Sequence, residues 1–181
     1  MPLRNSLIRL ALFLGLSIWL GSLVMTDPGI KTVELPQAGM TMTLPHSLEG
    51  WHAVPTSGAL YRAATRLSLA TLEIVDTGEP SQTPIAQYIE RRTQELRPQV
   101  KELIVWEITD SLMGRRKLKT VKWTSQERIA SLPVRVEYWS IDYYVPTENN
   151  YLRISFRYPD FLWRYFRPDL TMFSAGLKWA K

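Results

Sequence analysis

One uncharged apolar stretch near the N-terminus constrains this chain more than any other feature. Residues 10–26 carry no charge, and two basic residues, Arg4 and Arg9, precede them. A helix of this length spans about 25 Å, at the short end of what crosses a bilayer. The stretch stops at Asp27–Gly29, where a charge, a proline and a glycine follow one another. The pattern predicts a single transmembrane helix, with residues 1–31 as signal anchor and linker.

The basic residues predict the orientation of this anchor. Cytoplasmic flanks of membrane helices are enriched in Lys and Arg, and both arginines lie before the stretch. We therefore expect a single-pass membrane protein with a cytoplasmic N-terminus and the rest of the chain in the periplasm or a lumen. The residues predicted to face lipid or other helices are apolar: Leu10, Leu12, Phe13, Leu14, Leu16, Ile18, Trp19, Leu20, Leu23 and Val24.

A cleaved signal peptide is the alternative interpretation of the same stretch. Cleavage requires small residues at positions −3 and −1, and no Ala-x-Ala sequence is present. Trp19, near the outer end, suits the aromatic belt at a membrane interface. These two observations favour an uncleaved anchor.

Residues 32–181 are predicted to form a single extracytoplasmic globular domain. The chain has 181 residues, of which 45% are hydrophobic, so a core can form without metals or disulfides. The absence of Cys excludes disulfides, thiolate metal sites and a lipobox acyl anchor. The net charge of +5 is modest, and two of these charges belong to residues 1–31. We therefore predict no nucleic-acid partner.

Strand-like runs dominate this domain. The two longest, Val134–Tyr144 and Tyr151–Tyr158, are rich in β-branched and aromatic residues and flank a polar turn at 146–150. Four shorter strands are predicted at Met40–Leu44, Leu67–Val75, Leu103–Thr109 and Leu118–Trp123, with a turn at 113–115 between the last two.

Two helices are also predicted. Thr83 is a suitable N-cap and Pro84 a suitable first residue for a helix that ends at Pro98. Apolar residues at helical spacing predict a second helix over Asp169–Leu177, after a short turn at 159–161. Residues 27–39 are expected to be a linker. Strands with a helix in the middle and one at the end predict an α+β fold, an antiparallel sheet flanked by helices.

The order of these elements resembles the PsbP-like superfamily. An N-terminal export segment comes first, and Gly39–Pro45 is followed by Gly50-Trp51, which is similar to that family's opening of strand, Pro and Trp. A helix at Thr83–Arg97 then precedes the long strands. The last of these, Tyr151–Tyr158, leads to Pro159-Asp160 and a terminal helix. The resemblance covers residues 32–181.

This resemblance implies both a fold and a role. PsbP-like proteins are exported α/β/α sandwiches built on a curved antiparallel sheet, and they dock as non-enzymatic helpers on photosynthetic membrane complexes from the lumenal side. Bacterial relatives include periplasmic lipoproteins, from which this chain departs because it has no lipobox Cys. No metal-binding motif of the family is carried over.

No catalytic, cofactor-binding or metal-binding residues are predicted. The two histidines, His46 and His52, lack a metal-binding spacing and have no carboxylate beside them in sequence. Glycine-rich nucleotide motifs and Gly-x-Ser-x-Gly are missing from the sequence. Asp76 and Glu79 flank a Thr-Gly pair, which is typical of a solvated turn, and only an unforeseen fold would bring them to Glu107 as a calcium site.

Two clusters are candidate contacts for a partner protein or for lipid. The densest run of positive charge could dock an acidic face or anionic headgroups, and a solvated hairpin tip is the alternative. Near the C-terminus, aromatic residues and arginines alternate, as in interface hot spots. The candidates are Arg115, Arg116, Lys117, Lys119, Lys122, Trp163, Arg164, Tyr165 and Arg167.

The function predicted is that of a non-catalytic accessory subunit of a membrane protein complex. A tether raises the effective concentration of a weakly binding domain at its target. A photosynthetic or respiratory complex is suggested by the family resemblance alone. The alternative is an independent periplasmic module that binds a ligand or client protein. An enzyme of unfamiliar type is a third class, disfavoured because the usual acid–base and nucleophile sets are missing.

Overall fold

The computed structural model describes residues 32–44, 50–65, 68–113, 116–128 and 135–179. The predicted membrane anchor lies outside the described residues, as do His46 and Arg115. Within the described ranges, every helix is too short or too polar to cross a membrane.

Ten strands and two α-helices form the described fold. The helices are α1 (Ile85–Leu96) and α2 (Trp163–Gly176), and short 3₁₀ turns lie at Pro36–Ala38 and Asp160–Leu162. The strands are β1 (Thr32–Leu35), β2 (Met40–Thr43), β3 (Trp51–Ala53), β4 (Tyr61–Thr65), β5 (Thr71–Pro80), β6 (Lys101–Met113), β7 (Arg116–Arg128), β8 (Arg135–Pro146), β9 (Asn150–Pro159) and β10 (Lys178–Trp179).

All strand pairs are antiparallel, in two sheets. The larger sheet has seven strands in the order β3-β4-β5-β9-β8-β7-β6, and a three-stranded sheet has the order β1-β2-β10. The long strands β8 and β9 pair along nine positions because their β-branched and aromatic residues fit a pleated, half-buried surface. The predicted α+β class and the predicted antiparallel sheet with helices are confirmed.

Cross-strand register divides the residues of the large sheet between two faces. Leu72 pairs with Phe156, which pairs with Ile141, and this row faces α2. The neighbouring row, from Glu73 through Ser155 to Asp142 and Val121, faces the opposite side, where α1 packs. Alternate residues of each strand point to opposite faces, so one set of strands builds both an apolar and a polar surface.

The main hydrophobic core lies between the large sheet and α2. Phe166 and Phe173 of the helix are fully buried against Phe156 and other apolar residues of the sheet. Trp51 fixes the helix from β3, because its Nε1 donates a hydrogen bond to Oδ2 of the buried Asp169 over 3.0 Å. Gly176 completes the packing. A Cβ there would lie 2.8 Å from Cβ of Thr43, so only glycine allows the helix to approach β2 this closely.

The core beneath α1 is smaller. Its buried members are Ile89, Val121 and Tyr144, with Val105 and Trp123 packed partly against them. Much of the rest of this face is polar or charged, and it includes the buried Asp142 and Arg153. The α2 side therefore supplies most of the buried apolar area of the fold.

Several local predictions differ from the structure. The strand predicted at Leu67–Val75, for example, begins at Thr71. Residues 32–35 of the predicted linker form β1, because pairing with β2 satisfies their backbone groups. Helix α1 starts one residue later than predicted, with Pro84 rather than Thr83 at the N-cap position. Helix α2 starts at Trp163 instead of Asp169 and includes Pro168.

The early start of α2 has a physical reason. A proline inside a helix removes one backbone hydrogen bond and disfavours the helical conformation of the preceding turn. Phe166 lies in that turn and is fully buried in the core. Burial of a Phe side chain contributes about 1.5–3 kcal/mol, which offsets much of the cost of Pro168.

Candidate functional site

Helix α2 leaves part of its own side of the large sheet uncovered, and an open groove lies there. We call it the aromatic groove, and its volume is about 500 Å³. Its walls come from strands β6 to β9 and from the start of α2. The lining residues are Trp106, Glu107, Lys122, Trp139, Ile141, Tyr158, Asp160 and Trp163.

A β-bulge in β6 builds the outer wall. Val105 pairs with Trp123 and Glu107 with Lys122, so β6 carries one extra residue between these pairs. A bulge re-aims side chains and places neighbours on one side of a strand, and Trp106 and Glu107 both line the groove. Trp106 is 58% exposed. With the other rings of the groove, Trp106 forms a contiguous exposed apolar patch, and such patches are typical of interaction sites.

Aromatic contacts fix the shape of the groove. The rings of Trp106 and Trp139 stack with centroids 5.9 Å apart, and Trp106 Nε1 donates a hydrogen bond to Thr124 Oγ1 over 2.9 Å. On the opposite wall, Tyr158 and Trp163 stack at 5.1 Å. The side chains of Trp106 and Trp163 are therefore held by partners, which lowers the entropy lost when a ligand binds between them.

Few charges line the groove, and they are mostly paired. Lys122 Nζ lies 2.5 Å from Glu107 Oε2. Asp160 Oδ1 accepts a 2.7 Å hydrogen bond from Trp139 Nε1. Burial, aided by Tyr143 and Asp160 nearby, raises the pKa of Tyr158, so its hydroxyl stays neutral. These groups can orient a bound molecule, and the walls are predominantly apolar.

A second hollow of about 470 Å³ continues the groove along α2. The two share Lys122, Ile141 and Trp163, and the second is also lined by Arg167 and Ser174. Together they form a channel between α2 and the outer strands β6 and β7. Its chemistry grades from aromatic at one end to polar and cationic at the other.

The structure separates the predicted basic cluster. Lys122 faces the groove, whereas Lys119 pairs with Asp110 at 2.7 Å, and its strand neighbours place it on the α1 face. Arg116 lies over the ring of Trp179 at 4.6 Å, and Lys117 is exposed. The run therefore does not form one positive patch among the described residues, and its contact role stays a prediction.

The predicted aromatic and basic cluster on α2 is brought partly to the groove. Trp163 and Arg167 lie one helical turn apart and both line the channel. Arg164 is exposed beside them without lining it, and Tyr165 packs partly into the core with Phe166. A contact role for these four residues also stays a prediction.

Sequence reasoning missed Trp106 and Trp139. Both lie in runs that were correctly predicted as strands. Ile104 and Trp106 could have marked an exposed apolar strand. The sequence does not show the bulge that moves Ile108 to the other face, nor whether a helix covers this strand. The distance from α2 to β6 decides that, and it depends on tertiary packing.

Polar residues elsewhere do not assemble into a metal centre within the described part of the chain. No group of three or more His, Asp and Glu side chains able to hold a metal is found there. Asp76 instead accepts a 2.9 Å hydrogen bond from the backbone N–H of Gly78 and faces the amide of Asn150, as expected for a turn or bulge. His52 is exposed on β3.

Solved structures share this arrangement of sheet and helices. Cyanobacterial PsbP from Synechocystis sp. PCC 6803 superimposes with a TM-score of 0.60 at 8% identity, over 83% of this chain and 92% of that one. The chain has the PsbP-like fold. The resemblance predicted from the order of elements is thus confirmed at the level of fold. No protein-family model matches the sequence, and no curated protein does.

Two further structures are similar to the PsbP-like domain. One, from Bacteroides thetaiotaomicron, has a TM-score of 0.55 at 16% identity and matches 83% of this chain, which spans 48% of that protein. The other is LpqN, involved in cell envelope biogenesis of Mycobacterium tuberculosis, with a TM-score of 0.47 at 10% identity, over 84% of this chain and 91% of LpqN. At 16% identity the likeness to the Bacteroides thetaiotaomicron structure concerns fold alone.

Proposed function

We propose that this protein is a non-catalytic accessory subunit of a membrane protein complex. Residues 1–31 tether it, and the PsbP-like domain docks on the periplasmic or lumenal side through the aromatic groove. The PsbP-like fold and the apolar N-terminal stretch support this proposal. A photosynthetic or respiratory complex is the class suggested by the fold resemblance.

The exposed aromatic surface of the groove is the observation that carries the proposal. Trp106 is more than half exposed and stacked on Trp139, and Trp163, stacked on Tyr158, lines the same groove. Interface hot spots are enriched in such rigid aromatic anchors and in arginine. When a partner buries these rings, each Å² of apolar area removed from water contributes a favourable free energy of about 25 cal/mol.

The partner that fits this surface is an extracytoplasmic segment of a membrane subunit. An apolar side chain would insert between Trp106 and Trp163, and an acidic residue would follow it toward Arg167. Arg167 is exposed at the polar end of the channel. A surface arginine attracts an acidic partner and sets its register more than its affinity.

The test is co-migration of the full-length protein with its partner. Native membranes are solubilised in mild detergent, and the tagged protein is followed on a native gel and by affinity purification. With the native chain we expect the protein to migrate in a large complex. With Trp106→Ala we expect most of that complex to be lost. Ile108→Ala is the matched control, since Ile108 is 50% exposed on the same strand but pairs with Val121 on the other face. Migration of the native protein alone, or an intact complex with Trp106→Ala, would contradict the proposal.

An independent binding module is the second candidate. The groove volume of about 500 Å³ lies within the range of small-ligand sites, roughly 300–1,000 Å³. Mass spectrometry of the purified protein separates the two functions. A small apolar molecule that co-purifies with a monomer, and that Trp106→Ala releases, would favour the module.

A further inference from the structure

The α1 face of the sheet holds a separate hollow, and its chemistry differs from that of the channel on the α2 face. Its volume is about 170 Å³. We call it the arginine hollow, because four arginines and two glutamates dominate its lining: Arg62, Arg92, Arg153, Arg157, Glu73 and Glu127. Roughly five water molecules would fill that space.

The fold brings these arginines together from separate parts of the sequence. Arg62 lies on β4, Arg92 on α1, and Arg153 and Arg157 on β9. Register places Arg62 opposite Glu73 on β5, and Glu73 opposite Ser155 of β9. The convergence therefore depends on the antiparallel order of β4, β5 and β9 and on the position of α1.

The hollow carries an excess of positive charge. Glu73 neutralises Arg153 through a 2.8 Å contact, and Glu127 pairs with Arg157. Arg62 and Arg92 make no ion pair within 4 Å of a described carboxylate, although Arg92 also interacts electrostatically with the buried Asp142. The four arginines of the hollow thus outnumber the two carboxylates that line it.

Several donors in the hollow have no hydrogen-bond partner. The Nε atoms of Arg92, Arg153 and Arg157 are buried and unpaired among the described residues. The Arg153 side chain is only 9% exposed. Buried N–H donors are nearly always satisfied in folded proteins, so each one left unpaired requires an explanation. A bound anion with several oxygens would satisfy donors that approach from different elements.

One buried carboxylate lies near the hollow without lining it. Asp142 accepts hydrogen bonds from Ser155 Oγ at 2.6 Å and from Trp123 Nε1 at 3.0 Å, so its oxygens are already engaged. Burial raises the pKa of Asp142, and these hydrogen bonds and Arg92 partly offset that rise.

We propose that the arginine hollow binds a tetrahedral phosphate group. Arginine forks match phosphate oxygens in pairs, and every cation of the hollow is an arginine. The donors approach from three elements, and a tetrahedral phosphate presents its oxygens in more directions than a planar carboxylate does. The phosphate is either free in the compartment or carried by an anionic lipid headgroup.

Calorimetry on the full-length protein in detergent tests this site. The probes are inorganic phosphate, dihexanoyl phosphatidate and, for the acyl tails alone, dihexanoyl phosphatidylcholine, all at constant ionic strength. We expect saturable binding of a phosphate probe. If inorganic phosphate binds, the free ion is sufficient as a ligand. If phosphatidate binds and inorganic phosphate does not, the ligand is the lipid headgroup. Saturation by neither, or equal binding of phosphatidylcholine, would overturn the proposal.

Charge-removing variants locate the binding. Arg62→Gln and Arg92→Gln should each raise the Kd about tenfold or more, since a hydrogen bond to a charged group is lost. Arg91→Gln is the matched control. This variant also removes one arginine charge, at the residue next to Arg92. Arg91 pairs with Glu79 and lies over the ring of Tyr88, outside the hollow. Arg62 is exposed, so its variant should fold normally. An unchanged Kd in both variants, with circular dichroism confirming the fold, would overturn the site.

Discussion

The two faces of the seven-stranded sheet share the same strands and yet differ in what they bury. On the α2 face, Phe156, Phe166 and Phe173 are fully buried in a continuous apolar cluster. On the α1 face, Asp142 and Arg153 are buried instead, beside a small apolar cluster. Apolar burial is the larger stabilising force. The α2 face therefore holds the fold together, and the α1 face can carry charged groups.

The largest expected effect is a substitution in the α2 face. Phe173→Ala removes a fully buried ring and leaves a cavity, which should lower the free energy of unfolding by about 3–5 kcal/mol. Urea denaturation measures the change. Met172→Ala is the control on the neighbouring residue, since Met172 is 40% exposed, and it should cost less than about 1 kcal/mol. Equal losses would show that the ring does not lie where α2 places it.

A substitution in the α1 face should cost less. Ile89→Ala empties the centre of a cluster of three buried residues, whose surroundings can partly collapse. We expect a loss of about 2–3 kcal/mol, at the lower end of such substitutions. The same denaturation experiment checks it. A loss larger than that of Phe173→Ala would reverse the comparison of the two faces.

The division between the faces could be predicted only in part. The strands at 134–144 and 151–158 and the helix near 85–96 were predictable, because their residue types and spacing are local signals. The sheet order was not, since it places β9 between β5 and β8. Without that order, Arg62 and Arg153 cannot be known to share a hollow, and Trp106 cannot be known to lack a covering helix.

The pH dependence of folding stability should also distinguish the two faces. Burial raises the folded-state pKa of Asp142 above its ordinary value of 3.8. The folded state then binds more protons than the unfolded state. The contribution of Asp142 to stability is therefore fully present below about pH 3.8 and is lost as the pH rises through the folded-state pKa. Relative to Asp142→Asn, the native protein should lose up to about 1.4 kcal/mol per pH unit in that window. Parallel stability curves for the two proteins would contradict the raised pKa.

The smallest effects are expected for the two ion pairs between β6 and β7. Lys122 and Glu107 lie on the α2 face, and Lys119 and Asp110 on the α1 face. Each pair has a partner well exposed to water, so its coupling energy should stay below about 1 kcal/mol and decrease in high salt. Double-mutant cycles at two salt concentrations measure both couplings. A salt-independent coupling in one pair would mean that its face is drier than the structure indicates.

Photo-crosslinking in native membranes tests the central claim most directly. A benzoylphenylalanine replaces either Trp106, in the aromatic groove, or Ile108, which is similarly exposed on the same strand but on the other face. Docking through the groove predicts a discrete adduct with a membrane subunit from position 106 and little from position 108. No protein adduct from position 106, or equal adducts from both positions, would contradict the account.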